Sequence, residues 1–378
     1  MNYAICIVAY NRLNSVKRLL RCLEHAYYTQ PVDLVLSIDK SDSTEIEDYA
    51  KTYSWKYGQL QIITHEQNLG LRKHVLSCGR FLEKYDAIVV LEDDITVAES
   101  FMDYVISCVE KFHDDDSIAG ISLYSFQTNY QTRLPFIPLQ CDSDIYLMKC
   151  AQSWGQVWMR KQWQDFMRWY EINKEEFHLQ PHLPSAICRW SAKSWLKYHT
   201  RYCIEQNKYF VYPYVSLSTN NSDVGTHVTE SSTLFQVPLL FGRKCKYHLN
   251  TSIKYDGFFE NENLAEVLGV PNDQLCVDFY GEKNNREKRR YYLTRQTCPY
   301  KLLKSYSLSY KPYETNIFQE LYGNDLFLYD TKETFKNSYK PNRSIYDYFY
   351  GGISKSILYT LIKKKMTKRI LGLIHKKT

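Results

Sequence analysis

The chain has 378 residues, 44% hydrophobic and 24% charged, which is enough to bury a large core in one big domain or two smaller ones and excludes wholesale disorder. Its formal charge of +6 is unevenly placed: Lys355, Lys363, Lys364, Lys365, Lys368, Arg369, Lys376 and Lys377 fall in one stretch without a single acid. The rest of the chain is slightly acidic, which excludes a nucleic-acid-binding body. Eleven Cys are scattered with no C-x-x-C pair and no Cys/His zinc spacing. The start, Met1-Asn2-Tyr3-Ala4-Ile5-Cys6, runs straight into a strand-like segment without a basic n-region or cleavable h-region. No apolar run reaches the roughly 18 residues that a spanning helix needs. A reducing, cytoplasmic location is the expectation. The 34 Tyr and seven Trp read either as sugar-stacking surfaces or as a compositional bias of the gene.

Tyr3–Ala9 predicts a buried strand, and Tyr10-Asn11-Arg12 a polar turn after it. A helix follows, with Leu13, Val16, Leu19, Leu20 and Leu23 on one face and Lys17, Arg18 and Arg21 on the other. Val32–Ile38 predicts a second strand ending at Asp39, and Thr44–Tyr53 a second helix. Leu60–Ile63 is a third strand, followed by Asn68-Leu69-Gly70-Leu71-Arg72-Lys73-His74 and a helix from His74 to Lys84. The fourth strand, Ile88-Val89-Val90-Leu91, is wholly apolar, as a strand buried on both faces must be, and runs directly into Glu92-Asp93-Asp94. Strands and helices alternating at this spacing predict an α/β fold with a mostly parallel, helix-covered sheet.

Each polar cluster then falls at the carboxyl end of a strand, and in an open parallel sheet those ends share one edge, where ligands bind. Asn11-Arg12, Asp39, Arg72 and Glu92-Asp93-Asp94 therefore converge on one cleft. Three adjacent carboxylates repel one another and are costly to desolvate, so something positive must balance them. Mg²⁺ or Mn²⁺ carrying a sugar diphosphate does so with hard oxygen ligands. Each member also has a plainer explanation: Arg12 and Arg72 as surface charges near helices, Asp39 as an N-cap or Asx-turn, the acids as a solvated loop. The joint occurrence favours the cleft.

Further on, Phe101–Phe112 predicts an amphipathic helix, Ile118–Leu123 a strand and Gln127–Pro138 a surface loop. Trp154, Trp158, Trp163 and Trp169 form a Trp-rich segment, read as core except for Trp154, which beside Gly155 suits an acceptor pocket. Tyr209–Ser218 is strand-like and leads into a polar loop containing Asp223 and His227. A neutral imidazole there is either a metal ligand or, as for most isolated His, a surface residue.

With these residues in place, the chain resembles a bacterial nucleotide-sugar glycosyltransferase of the GT-A fold, family-2-like, and among eukaryotic enzymes the N-acetylglucosaminyltransferase I group. The resemblance spans roughly residues 3 to 230 and rests on Ala9-Tyr10-Asn11-Arg12 with its following helix, Ser37-Ile38-Asp39, and Leu91-Glu92-Asp93-Asp94-Ile95-Thr96-Val97-Ala98. Asn68 to Leu71, Trp154-Gly155 and Gly225-Thr226-His227 add to it. It implies that Arg12, Asp39 and Arg72 contact the nucleotide, that Glu92 and Asp93 line the ribose and donor sugar, and that Asp94 and His227 hold Mn²⁺ or Mg²⁺. It also implies an inverting transfer, with a carboxylate to deprotonate the acceptor hydroxyl. That acid is missing from the comparable stretch, Ser194-Trp195-Leu196-Lys197; Asp223 is the substitute, ahead of Glu205 and Asp165.

The expected organisation is a glycosyltransferase domain over 1–245, an accessory region over 246–350 and a basic amphipathic helix over 351–378. The helix suits an anionic membrane surface, with a growing, possibly lipid-linked, cell-surface glycan as acceptor and the inner face of the cell membrane as location. Two other readings compete. A sugar nucleotidyltransferase needs a Gly-rich phosphate loop, and Val8 to Ser15 contains no Gly. A catalytically silent nucleotide- or glycan-binding subunit is favoured only by the absent acid near Trp195.

Overall fold

The structure is a computed structural model and describes residues 1–223, 232–283 and 289–374, without the side chains of 365 and 368–374. Seven consecutive buried residues put β1 (Tyr3–Ala9) in the interior of a nine-stranded sheet. It is followed by α1 (Leu13–Glu24), β2 (Asp33–Ile38), α2 (Glu45–Thr52), β3 (Leu60–Thr64), α3 (Leu71–Ser77) and β4 (Ala87–Glu92). Next come β5 (Ile95–Val97), α4 (Phe101–Phe112), β6 (Ile118–Ser122), β7 (Ile145–Met148), β8 (Gln156–Met159), α5 (Arg160–Asn173), α6 (Ser185–Arg189), α7 (Leu196–Glu205), β9 (Tyr209–Pro213), β10 (Ser218–Asn220) and β11 (Lys254–Tyr255). The large sheet runs β11-β7-β9-β6-β8-β4-β1-β2-β3. β3, β2, β1 and β4 are mutually parallel, and β8 enters antiparallel beside β4.

The order of strands places the site. From β1 the chain steps outward to β2 and β3, then returns past β2 and β1 to β4. With right-handed crossovers, the helices before and after that reversal cover opposite faces. Tyr3, Ile5, Ile7 and Ala9 accordingly pack with α1, α2 and α4, whereas Ala4, Cys6 and Val8 face the layer of α3, α5 and α7. The carboxyl ends of β1 and β4 thus flank a topological switch point, where a crevice opens.

Four local expectations are corrected. The helix predicted from His74 to Lys84 starts at Leu71 and tightens into a 3-10 turn over Cys78–Glu83. A Cβ on Gly79 would lie 2.0 Å from Trp163 Nε1, so this turn exists where an indole lies against bare backbone. The strand predicted over Tyr209–Ser218 stops at Pro213, which has no N–H to continue a ladder, and resumes as β10, paired with β5 in a separate ribbon. Gln127–Pro138 is a loop but is anchored in the core at two points, Asn129 and Phe136, the latter against Tyr255 and Phe259. The Tyr content is largely core, with Tyr104, Tyr124, Tyr146, Tyr198, Tyr212 and Tyr255 fully buried.

After residue 246, β11 joins the edge of the large sheet beside β7. Then α8 (Leu264–Leu268), β12 (Leu275–Asp278), β13 (Tyr291–Thr294), β14 (Tyr300–Tyr306), α9 (Tyr313–Phe318) and β15 (Leu326–Thr334) build a four-stranded sheet, order β12-β13-β15-β14, with its own apolar cluster around Leu293, Ile317 and Leu328. α10 (Ile345–Tyr350) carries a capping box in which Ser344 and Asp347 satisfy each other's backbone N–H. The last helix, α11 (Lys355–Ile374), is exposed along its described length. Ile357, Leu358, Tyr359, Leu361 and Ile362 spread over roughly 200° of it, a broad apolar face opposite Ser356, Thr360, Lys363 and Lys364.

Candidate active site

The turn after β1 and the acids after β4 meet at the switch point, as walls of a cavity of about 560 Å³ lined also by Asp39, Gly70, His74, Trp154, Lys193 and Asp223. Arg12, the residue that opens α1, reaches across and pairs with Asp93 and, at 3.2 Å, with Asp94. Asp93 is 2% exposed and Asp94 8%, whereas the Arg12 side chain keeps a quarter of its surface in solvent. One guanidinium therefore stands against three carboxylates. Burial, and then the charges of Asp94 and Asp93, push the half-buried Glu92 up to about 8 against the opposing pull of Arg12 and a hydrogen bond from the Trp195 indole. Burial likewise raises Asp93 to about 6, with Arg12 pulling it down.

Asp94 differs from its neighbours. Its backbone carbonyl accepts from the Asn221 backbone N–H at 2.8 Å and the Asn221 side-chain amide at 2.9 Å, so the β5–β10 ribbon fixes its position. Its Oδ2 takes the Arg12 bond, and its Oδ1 is buried with no hydrogen-bond partner. An unsatisfied buried carboxylate oxygen costs free energy unless a ligand meets it. This is the donor chemistry that Mg²⁺ or Mn²⁺ takes, since such ions bind through one or two carboxylates with substrate phosphates and water completing the shell. Among the described residues there is no cluster of three or more metal-ligating side chains. His227 lies outside the described residues.

Asp39 lies in the cavity wall, yet its oxygens are already engaged. They accept the backbone N–H groups of Lys40, Leu69 and Gly70 at 3.0, 2.8 and 3.0 Å. Gly70, with φ of +73°, turns the chain so that its N–H can reach the carboxylate. Asp39 thus clamps the entry of α3 onto the end of β2. Beside it His74, 2% exposed, meets Ser37 Oγ at 2.8 Å, and burial lowers its pKa to about 4, so the ring is neutral. Asp223 faces the same space from the loop after β10. It accepts from Ser15 Oγ at 2.8 Å and pairs with Arg18. Burial pushes its pKa up, but the hydrogen bonds from Arg18 and Ser15 and the charges of Arg18 and Arg12 outweigh that and hold it below the usual carboxylate range.

Residues 4–180 match the family model described as Glycosyl transferase family 2. Over those residues the chain is similar to a family-2 glycosyltransferase domain. Among solved structures, Staphylococcus aureus TarS 1–349 is similar at 10% identity and a TM-score of 0.35, over 56% of this chain and 60% of that one. The same protein in complex with UDP-GlcNAc is similar at 11% and 0.36, over 61% and 62%. The mannosyltransferase PcManGT from Pyrobaculum calidifontis, in complex with GDP-Man and Mn²⁺, is similar at 11% and 0.34, over 57% of each chain. The chain therefore spans about three fifths of the first of these. No curated protein matches it.

Within the matched region the structure does not bring Arg72 into the cavity. Its guanidinium donates to Tyr170 Oη at 2.7 Å, the Lys174 carbonyl at 2.6 Å and the Ala192 carbonyl at 3.2 Å, and lies 4.0 Å over the Tyr198 ring. In the first turn of α3, it faces the layer of α5 and α7 rather than the strand ends. Asp165 and Glu205 are also elsewhere, paired with Arg168 on α5 and with Arg201 at 2.8 Å on α7. Trp158 stacks on Trp163 at 3.8 Å in the core, while Trp154 lines the cavity between Tyr124 and Phe235. Sequence reasoning missed Lys193, Asn220, Ser222, Phe235 and Gln236 in the lining. Only Lys193 left a signal, a cation between Trp190 and Trp195, immediately before the segment searched for an acid.

Proposed function

We propose that the chain transfers a sugar from a nucleoside diphosphate donor, UDP-linked by preference, to a growing glycan, with inversion and with Mn²⁺ or Mg²⁺ bound. The observation that carries this is the convergence of Arg12, Glu92, Asp93 and Asp94 on one cavity at the switch point of a family-2-like domain, with a buried oxygen of Asp94 unpartnered. Asp94 would hold the ion, and His227 remains its proposed second ligand. Such an ion neutralises the departing diphosphate. Arg12 and the amino end of α1 present further positive potential to the same phosphates. Asp223 is the proposed base: Arg18 and Ser15 hold its pKa low, which makes it a modest base but keeps it ionised.

The test is thermal stabilisation by UDP-, GDP-, CMP- and dTDP-sugars, with and without Mn²⁺, beside Asp94→Asn. Stabilisation by one donor class that needs both metal and Asp94 supports the reading; none with any donor sinks it and brings forward a silent binding subunit.

The same proposal places the acceptor at a membrane. α11 exposes Ile357, Leu358, Leu361 and Met366 by half or more of their surface, next to Lys363 and Lys364, and no acid follows Asp347. Among the described residues no helix is long and apolar enough to cross a membrane, so contact with the surface is the reading. Loss of co-sedimentation with anionic vesicles on removing 353–378 supports it; unchanged binding refutes it.

A further inference from the structure

Five carboxylates line the cavity, those of Asp39, Glu92, Asp93, Asp94 and Asp223. The cations near them are largely committed. Arg12 is paired with Asp93 and Asp94, and Arg18 with Asp223. Lys193 also lines the cavity, is exposed, and among the described residues has no carboxylate partner. An ammonium left unpaired beside so much negative charge is held there by its backbone, not by attraction to a neighbour.

That backbone is braced. The strap 190–195 between α6 and α7 is tied at its start by Lys197 Nζ, which donates to the Trp190 carbonyl at 3.0 Å, and internally by the Ser194 N–H on the Ser191 carbonyl at 2.9 Å. Its middle is tied by Arg72, which donates to the Ala192 carbonyl, immediately before Lys193. Trp195, at its end, is buried and hydrogen-bonds Glu92. Arg72 therefore joins α5, α3 and the strap at one planar fork, geometry that an ammonium cannot reproduce.

We infer that Lys193 binds the phosphate of the donor furthest from the nucleoside, and that Arg72 is its positioning residue. The inference rests on the glycosyl-transfer reading and adds to it a cation that the family-2 resemblance did not supply. Metal and Lys193 would meet the diphosphate from two different elements, Asp94 in the turn after β4 and Lys193 on the strap.

Calorimetric binding of UDP, GDP, UMP and GMP to the full chain, each with MnCl₂, tests it. Lys193→Met is expected to weaken the bound diphosphate about tenfold, the scale of one charge-assisted hydrogen bond. The corresponding monophosphate should change by less than about twofold. Lys193 is exposed, so the variant keeps the fold; its melting temperature checks this. Arg72→Lys should weaken the same diphosphate, and the double variant should bind no more weakly than Lys193→Met alone, because Arg72 acts through Lys193. Losses that multiply make Arg72 merely structural. Equal losses for mono- and diphosphate, or none in Lys193→Met, overturn the assignment while leaving nucleotide binding intact. A wild-type protein that binds no nucleoside diphosphate overturns the transfer reading and this one together.

Discussion

Replacing Arg12 by Met isolates what one guanidinium does among three acids. In the wild type, Asp93 is raised from 3.8 to about 6 even with Arg12 pulling it down. An acid whose folded pKa is raised binds more protons folded than unfolded, so its contribution to stability is present below the unfolded value and is lost as pH rises through the folded one. Two units correspond to about 3 kcal/mol, withdrawn progressively between about pH 4 and pH 6. Without Arg12 the folded pKa rises further, and the penalty at neutral pH grows. Removing one partner of a buried pair costs about 3 kcal/mol or more, and the part-exposed Arg12 suits the lower end. For 378 residues melting together, with an unfolding entropy of about 2 cal/mol/K per residue, 3 kcal/mol corresponds to a drop of about 4 °C. Arg12→Met should therefore melt about 4 °C below the wild type near pH 7.5, and within about 1 °C of it near pH 5, where Asp93 and Glu92 are protonated in the variant. Differential scanning fluorimetry in EDTA at the two pH values measures this. An equal drop at both, or a larger one at low pH, would refute the view that Arg12 acts by neutralising these carboxylates.

Two other outcomes follow from the same geometry. Arg18→Met removes the main influence holding Asp223 low, so if Asp223 is the base, the acid limb of the kcat/KM profile moves to higher pH; an unmoved limb excludes Asp223 from that role. Gly79→Ala forces a methyl into the Trp163 ring, itself stacked on Trp158, and is expected to destabilise the chain by about 3 kcal/mol, read as a fall in melting temperature; an unchanged melt would show that the two indoles shift freely.

The sequence alone determined the Rossmann-like half of the molecule. Runs such as Ile88–Leu91 and the period of Leu13, Val16, Leu20 and Leu23 state their secondary structure through burial, and alternating strands and helices leave few topologies open. It also determined that Arg12 and the Glu92–Asp94 run share an edge, because strand ends in a parallel sheet must. Arg72 escaped this logic: it follows a loop after β3 and sits in the first turn of α3, where a side chain can point along the sheet or away from it, and only the packing of α5 and α7 against α3 decides. The place of Lys193 could not be read for the converse reason, since the strap between α6 and α7 has no periodicity and reaches the cavity through tertiary bonds, among them those to Arg72 and Lys197. The partners of Asp39 and Asp223 are likewise set by tertiary contacts, with the Leu69–Gly70 backbone and with α1. Residue type and local pattern say which groups can do chemistry; which of them are already engaged depends on neighbours tens or hundreds of residues away.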